Sequence, residues 1–287
     1  MIYALLIISI LMSVLKNILS KYGDAEFEGV PALFKLNSII ALSTTVMALI
    51  MGGHIVGSLN TGSIILCIVN AVTAILAQVF FIKSVATGSV TVSSLFYACG
   101  FIIPTIWGAA YYQEEIGVLQ IACLLVLCFS LWLGTQKEEN GEKGFSVKWL
   151  VLALLAMFFS GVLGVLQKIF SMSEQSHLMN DYLATAFSMM FLLTLVVYVF
   201  SNKGFRKSSP KFYTLAVLMG IATGLINMLN IFLAGKLPSI IVFPATNGGI
   251  IVATALASAI VFREKLSSRQ KLSIILGVVS IIVIGVC

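Results

Sequence analysis

The chain has 287 residues, of which 60% are hydrophobic and only 10% charged, with a formal net charge of +6 and a mean hydropathy of +1.08. A water-soluble domain carries about 25% charged residues, so this composition excludes a soluble globule and makes lipid the solvent. The excess positive charge sits between apolar runs, where it fits membrane-flanking turns and calls for no nucleic-acid partner.

Apolar runs of spanning length, about 20 residues each, fall at residues 2–20, 32–52, 62–82, 91–111 and 116–135, and again at 147–167, 181–200, 212–234, 239–261 and 270–287. Nearly all are apolar on every side. Helix is therefore favoured by length and by the need to satisfy each backbone group within its own segment. A membrane β-barrel would show segments of about ten residues with polar alternation, and none is present in the sequence. Met1 runs directly into the first apolar run without a basic stretch, which is not the pattern of a cleavable signal peptide. Cys67, Cys99, Cys123, Cys128 and Cys287 lie in apolar runs without metal or disulfide spacing, and read as small buried hydrophobes.

The two sets of five runs are related. Residues 89–130 align without a gap on 239–280 at a constant shift of 150: Ser89 meets Ser239, Val92 meets Val242, Ala109 meets Ala259, Glu114 meets Glu264, Gln120 meets Gln270 and Ser130 meets Ser280. Five is odd, so two five-span units in tandem must cross the membrane in opposite senses. The expected architecture is an all-α integral membrane protein of ten transmembrane helices, arranged as two inverted five-helix repeats. The first repeat takes residues 1–136, a polar linker 137–146, and the second repeat 147–287.

The turns agree with inversion. Gln113-Glu114-Glu115 has no basic residue, whereas Arg263-Glu264-Lys265, followed by Arg269 and Lys271, is strongly basic. Of the seventeen Lys and Arg residues, only Lys168 and Lys236 fall toward one side. By the positive-inside rule the crowded side is cytoplasmic, with both termini outside in a plasma or inner membrane.

These turns also carry a family resemblance. Gln113-Glu114-Glu115-Ile116 with Gln120, and Arg263-Glu264-Lys265-Leu266 with Gln270, are similar to the "GERLSLLQ" turn of the EamA-like branch of the drug/metabolite transporter superfamily. That resemblance implies ten helices in inverted repeats and a solute carrier. The first copy departs from the pattern at Glu115 and Ile116. Pro104 and Pro244 do not align under the shift of 150, and many family members have an N-inside arrangement.

Polar side chains within a span are costly and usually face the bundle interior. Ser13, Asn17 and Lys21 repeat every four residues in the first span, and Ser160, Gly164 and Lys168 do so in the sixth. These faces would line a central cavity, with Lys21 and Lys168 near its mouths, or else each Lys snorkels to headgroups. Gln167 adjoins Lys168. Asn227 and Asn230 share a face of the eighth span, and Asn70 and Gln78 roughly share one in the third. Each could bind solute or bond across to a neighbouring helix.

Thr246-Asn247-Gly248-Gly249 follows Pro244 in the ninth span, where either an unwound, solute-facing backbone or a packing kink is expected. The shift of 150 sets Tyr97 opposite Asn247 across the pseudo-axis. Glu114 and Glu264, at span boundaries, suit helix capping or ion pairing better than proton carriage. Asp181 reads as a helix-start residue.

The candidate substrate-binding residues are thus Asn17, Gln78, Tyr97, Gln167, Lys168, Asn227, Asn230, Thr246 and Asn247. No nucleotide loop, catalytic motif or mid-span carboxylate is present in the sequence, and neither an enzyme nor a cofactor or metal is expected. The favoured reading is a secondary-active or facilitative transporter of a small polar metabolite (amino acid, nucleoside-like or sugar-like) acting as a monomer or homodimer. A proton-coupled drug/metabolite exporter is the alternative within the class. A non-transporting membrane scaffold or sensor is the alternative outside it.

Overall fold

A computed structural model describes residues 2–23, 26–27, 30–88, 90–135, 146–201, 208–261 and 268–286, all of them helix or short connection. Ten helical spans run in chain order: α1 (Ile2–Tyr22), α2 (Val30–Ile50), α3 (Thr61–Thr87), a broken α4, α5 (Val118–Thr135), α6 (Val147–Ser171), α7 (Met179–Ser201), α8 (Pro210–Ala234), α9 (Ser239–Val261) and α10 (Ser268–Val286). In α4 the chain forms Val90–Ala98 (α4a), one 3₁₀ turn at Cys99–Phe101, and Ile102–Tyr111 (α4b). Among the described residues nine helices are long and apolar enough to cross a membrane, and the tenth, Val118–Leu133, is apolar but shorter. The predicted spans differ from these helices mainly at their ends. Side-chain caps set three starts: Asn60, Ser146 and Ser209 accept from the backbone N–H of Ser63, Trp149 and Phe212 respectively.

The packing tests the duplication. Exchanging each helix with the one five places on should leave the set of packed pairs unchanged. The pairs α2–α7, α4–α9 and α5–α10 map onto themselves, α3–α6 maps onto α8–α1, α2–α8 onto α7–α3, and α1–α9 onto α6–α4; all are observed. The correspondence reaches single residues. Asn17 donates to Thr254 Oγ1 across α1 and α9 at 3.1 Å, and Gly164, the residue matching Asn17, abuts Pro104, which matches Thr254. The molecule is therefore ten helices in two inverted five-helix repeats, wound into one another.

Small residues allow this. Ala41, Ala48, Ala184 and Ala186 are buried in the α2–α7 cluster, where Ser38 Oγ donates to Thr194 Oγ1 at 3.0 Å. On α5–α10, Ser130 and Ser273 each donate to the other's carbonyl at 2.7 Å. Such bonds hold helices together where no water competes for them.

The break in α4 has a steric cause. A Cβ on Gly100 would lie 2.9 Å from Met157 O and 3.0 Å from Gly161 N, and one on Gly161 would lie 2.6 Å from Gly100 O. Backbone meets backbone here, as in small-residue helix crossings. Of the two alternatives at Pro244, the unwound backbone does not occur, since α9 continues through it as helix. Thr246 Oγ1 and Asn247 Nδ2 donate to the carbonyls of Val242 and Phe243, so the side chains after the proline bond back to their own helix.

Gly161→Val should lower the melting temperature of the purified protein, by the ~1–3 kcal/mol typical of overpacking. Gly62→Ala, where an added Cβ would meet only Asn60 Oδ1 at 3.5 Å, should not.

Candidate functional site

At the end of the bundle that holds the α4–α5, α6–α7 and α8–α9 turns, the two halves are joined by a buried ion pair. Lys168 Nζ lies 2.6 Å from Glu114 Oε1, with the two side chains 3% and 15% exposed. The ammonium also donates to Ala234 O at 2.8 Å and Leu237 O at 3.4 Å, which places a positive charge at the carbonyl-rich end of α8. The other carboxylate oxygen accepts from the Ser239 N–H at 2.6 Å, at the start of α9. The local backbone is shaped for this. Gln113 adopts a left-handed φ of 53°, uncommon for a non-glycine residue, and the Glu114 carboxylate lies against Gly108, where a Cβ would strike it. Burial, with Tyr111 and Glu114 nearby, raises the Tyr112 hydroxyl above its ordinary value, and the Tyr112 ring lies 5.6 Å from the ammonium.

Glu114 thus serves as both ion-pair partner and helix cap, the two roles expected of it. Glu264, with Arg263, Lys265 and Leu266, lies outside the described residues, as does linker segment 136–145. Lys168 neither snorkels nor stands open at a cavity mouth in this state, because protein groups hold it on several sides. Asp181 does more than begin α7. Its carboxylate accepts from the backbone N–H of His54 at 2.8 Å and of Ser58 at 3.4 Å, fastening the α2–α3 turn to the opposite half.

The other candidate residues fall into two groups. Toward the latched end, Gln167 Nε2 donates to Asn227 Oδ1 at 2.9 Å, linking α6 and α8. Asn230 Oδ1 accepts from Ser9 Oγ at 2.7 Å, linking α8 and α1. Toward the other end, Asn17 bonds Thr254. Gln78 donates to Asn37 Oδ1 at 2.8 Å, while its own Oε1 is buried without a partner. Tyr97 packs its ring on Phe81 of α3. Tyr97 and Asn247 make no hydrogen bond to each other among the described residues. Asn37 is a member that spacing within α3 cannot reveal, because its partner comes from another span. The only sequence signal for it is an amide within an apolar run.

The two ends differ. At the latched end α6 packs on α8, whereas the equivalent pair, α1 and α3, makes no comparable contact. Lys168 is buried, and its counterpart Lys21 is exposed. Asn17 is exposed although it lies four residues from buried Ser13, on the protein-facing side of α1. An exposed polar residue on an inward face borders an opening rather than lipid.

Fold and site together define a polytopic helical membrane protein whose two halves meet through polar contacts and pack more tightly at one end than at the other. Residues 147–286, the second repeat, match the model of the EamA-like transporter family, one of membrane transporters of the drug/metabolite type. A solved structure described only as a crystal structure of a protein shares the fold, with a TM-score of 0.80 over 96% of this chain and 94% of that one at 12% identity. No curated protein matches the chain by sequence.

Glu114→Gln and Lys168→Met should each destabilise the protein, by ~3–5 kcal/mol for a buried pair losing one partner. The double variant should lose less than the sum of the two, measured as a double-mutant cycle in thermal melts.

Proposed function

We propose that this chain carries a small polar metabolite across the membrane by alternating access, with the solute site between the halves and lined by α1, α3, α4, α6, α8 and α9. The observation that carries this reading is the difference between equivalent ends of one pseudo-symmetric bundle. Inverted repeats related by a two-fold axis in the membrane plane can exchange conformations, so an asymmetric arrangement has a mirror state that closes the opposite end. Latching of α6, α8 and α9 around Lys168 and Glu114 supports closure on that side. Exposure of Asn17 and the lack of substantial α1–α3 packing support an opening on the other.

By the charge distribution the open side faces the cytoplasm and both termini lie outside. The amides and hydroxyls Asn17, Gln78, Tyr97, Asn227, Asn230, Thr246 and Asn247 suit solutes such as amino acids, nucleosides or sugars, and Gln167 and Lys168 act in closing the far end. No Asp or Glu lies in mid-span, which favours facilitated movement over obligatory proton coupling.

Two measurements test this. Solute uptake into proteoliposomes should proceed with or without a pH gradient, and strict dependence on the gradient would favour the proton-coupled exporter. In a variant lacking the native cysteines, Asn17→Cys should react with a membrane-impermeant maleimide from the cytoplasmic face, while Gly164→Cys should be protected. Equal labelling of both would overturn the alternating-access reading.

A further inference from the structure

The charge left unanswered in the interior is Lys16. On α1 the residues Tyr3, Ile7, Leu11, Leu15 and Tyr22 are exposed and mark the lipid face. Ser9 and Ser13 are buried and mark the protein face. Lys16 comes seven residues after Ser9 and three after Ser13, so it continues the buried stripe, and it is itself half-buried. The middle of α1 (Ile2–Tyr22) is residue 12. Four residues on, Lys16 stands ~6 Å from that middle along the axis, well within a hydrocarbon half-thickness of ~15 Å. Snorkelling is disfavoured, because helix side chains lean toward the N-terminus, which here is away from the nearer membrane surface.

What faces it follows from the antiparallel register of α1 and α8. Ser9 bonds Asn230 and Gly23 abuts Leu215, so Lys16 is level with Ala222 and Thr223. One turn further along α8 lies Asn227, which holds Gln167 of α6. Its neighbour Asn17 borders the opening. Among the described residues the Lys16 ammonium makes no ion pair or hydrogen bond, whereas the other interior ammonium, that of Lys168, has a carboxylate and two carbonyls. The second repeat has no cation here either. The spacing that sets Lys21 on Lys168 sets Lys16 on Leu163.

An unpaired cation at this depth is expensive, and such residues mark the path of a charged species. We propose that Lys16 binds the solute, and that the solute carries an anionic oxygen group, a carboxylate, beside the polar groups that meet the amides. This rests on the carrier reading and narrows it to carboxylate-bearing metabolites, zwitterions included. In this state the solute itself supplies the counter-charge that the described residues do not, and Asn17, next in the chain, lies where it would meet solute entering from the open side.

The test pairs acids with their amides. Purified wild-type protein in an uncharged detergent is melted with succinate and succinamide, L-glutamate and L-glutamine amide, and inorganic phosphate. Wild type should be stabilised by a carboxylate and not by its amide, because a bound ligand raises the melting point by mass action. Lys16→Met should weaken that response on the order of 30-fold or more, as for a buried charge that loses its partner. Lys16→Arg should retain it. Without any ligand, Lys16→Met should melt no lower than wild type, since it removes an uncompensated charge.

A response to phosphate alone would overturn the carboxylate assignment. Stabilisation by acids and amides alike, unchanged in Lys16→Met, would overturn this inference while leaving the carrier reading intact. No response to any compound, with no uptake in proteoliposomes, would overturn both.

Discussion

In hydrocarbon a polar group has no water to fall back on, so each one must find a partner inside the protein. Many hydroxyls bond back to their own helix, but a bond between helices mostly reaches the other half. Ser9 reaches Asn230, Ser38 reaches Thr194, Thr44 reaches Gly220 O, Trp149 reaches Ser93, and Ser130 and Ser273 bond reciprocally. The turns follow the same rule, with Asp181 holding the α2–α3 connection and Gln175 bonding Asn60 and Ser58. Sequence divides the chain into two repeats, but energetically there is one bundle. Neither repeat could satisfy its own polar groups alone.

This interleaving makes pseudo-symmetry a source of mechanism. Equivalent residues have diverged where the two ends must do different work. Asn17 and Gly164 touch equivalent points of α9 and α4, one with an amide and the other with bare backbone against Pro104. Lys21 and Lys168 keep the same residue type, yet only one is buried. A Lys–Glu pair with both ions hydrogen-bonded is strong while dry and weak once wetted, because water screens it and competes for each ion. The latch that joins α6 to the α4–α5 turn is thus stable only as long as that end excludes water.

Much of the architecture was legible from residue types alone. Run length located ten helices, the shift of 150 exposed the duplication, and the parity of five made it inverted. The dual role of Glu114 followed from its place at a span boundary. What was not legible depends on which side of a helix faces inward, and helices that are apolar all round give no hydrophobic stripe to show it. Hence Lys16 reads in sequence as one of many basic residues near a membrane surface, and only the exposed line Tyr3, Ile7, Leu11, Leu15 reveals that it faces inward. The break at Gly100 was hidden for a related reason. Pro244 is the conspicuous helix breaker, but the helix that yields is the one whose backbone must meet Gly161. Asn37 carries no spacing signal because its partner, Gln78, lies 41 positions away.

The interlocking of the halves also constrains how the protein can be made. Ser38 of α2 waits for Thr194 of α7, 156 residues later. At roughly 5–20 residues per second, that is on the order of ten to thirty seconds of ribosome time. Throughout it, α2 must stay inserted with its alanine-rich face unpartnered, and α1 must hold Lys16 in the bilayer before α8 arrives. The nascent first half is therefore a set of waiting helices, and the insertion machinery or neighbouring lipids must shelter it until synthesis of the second half is under way.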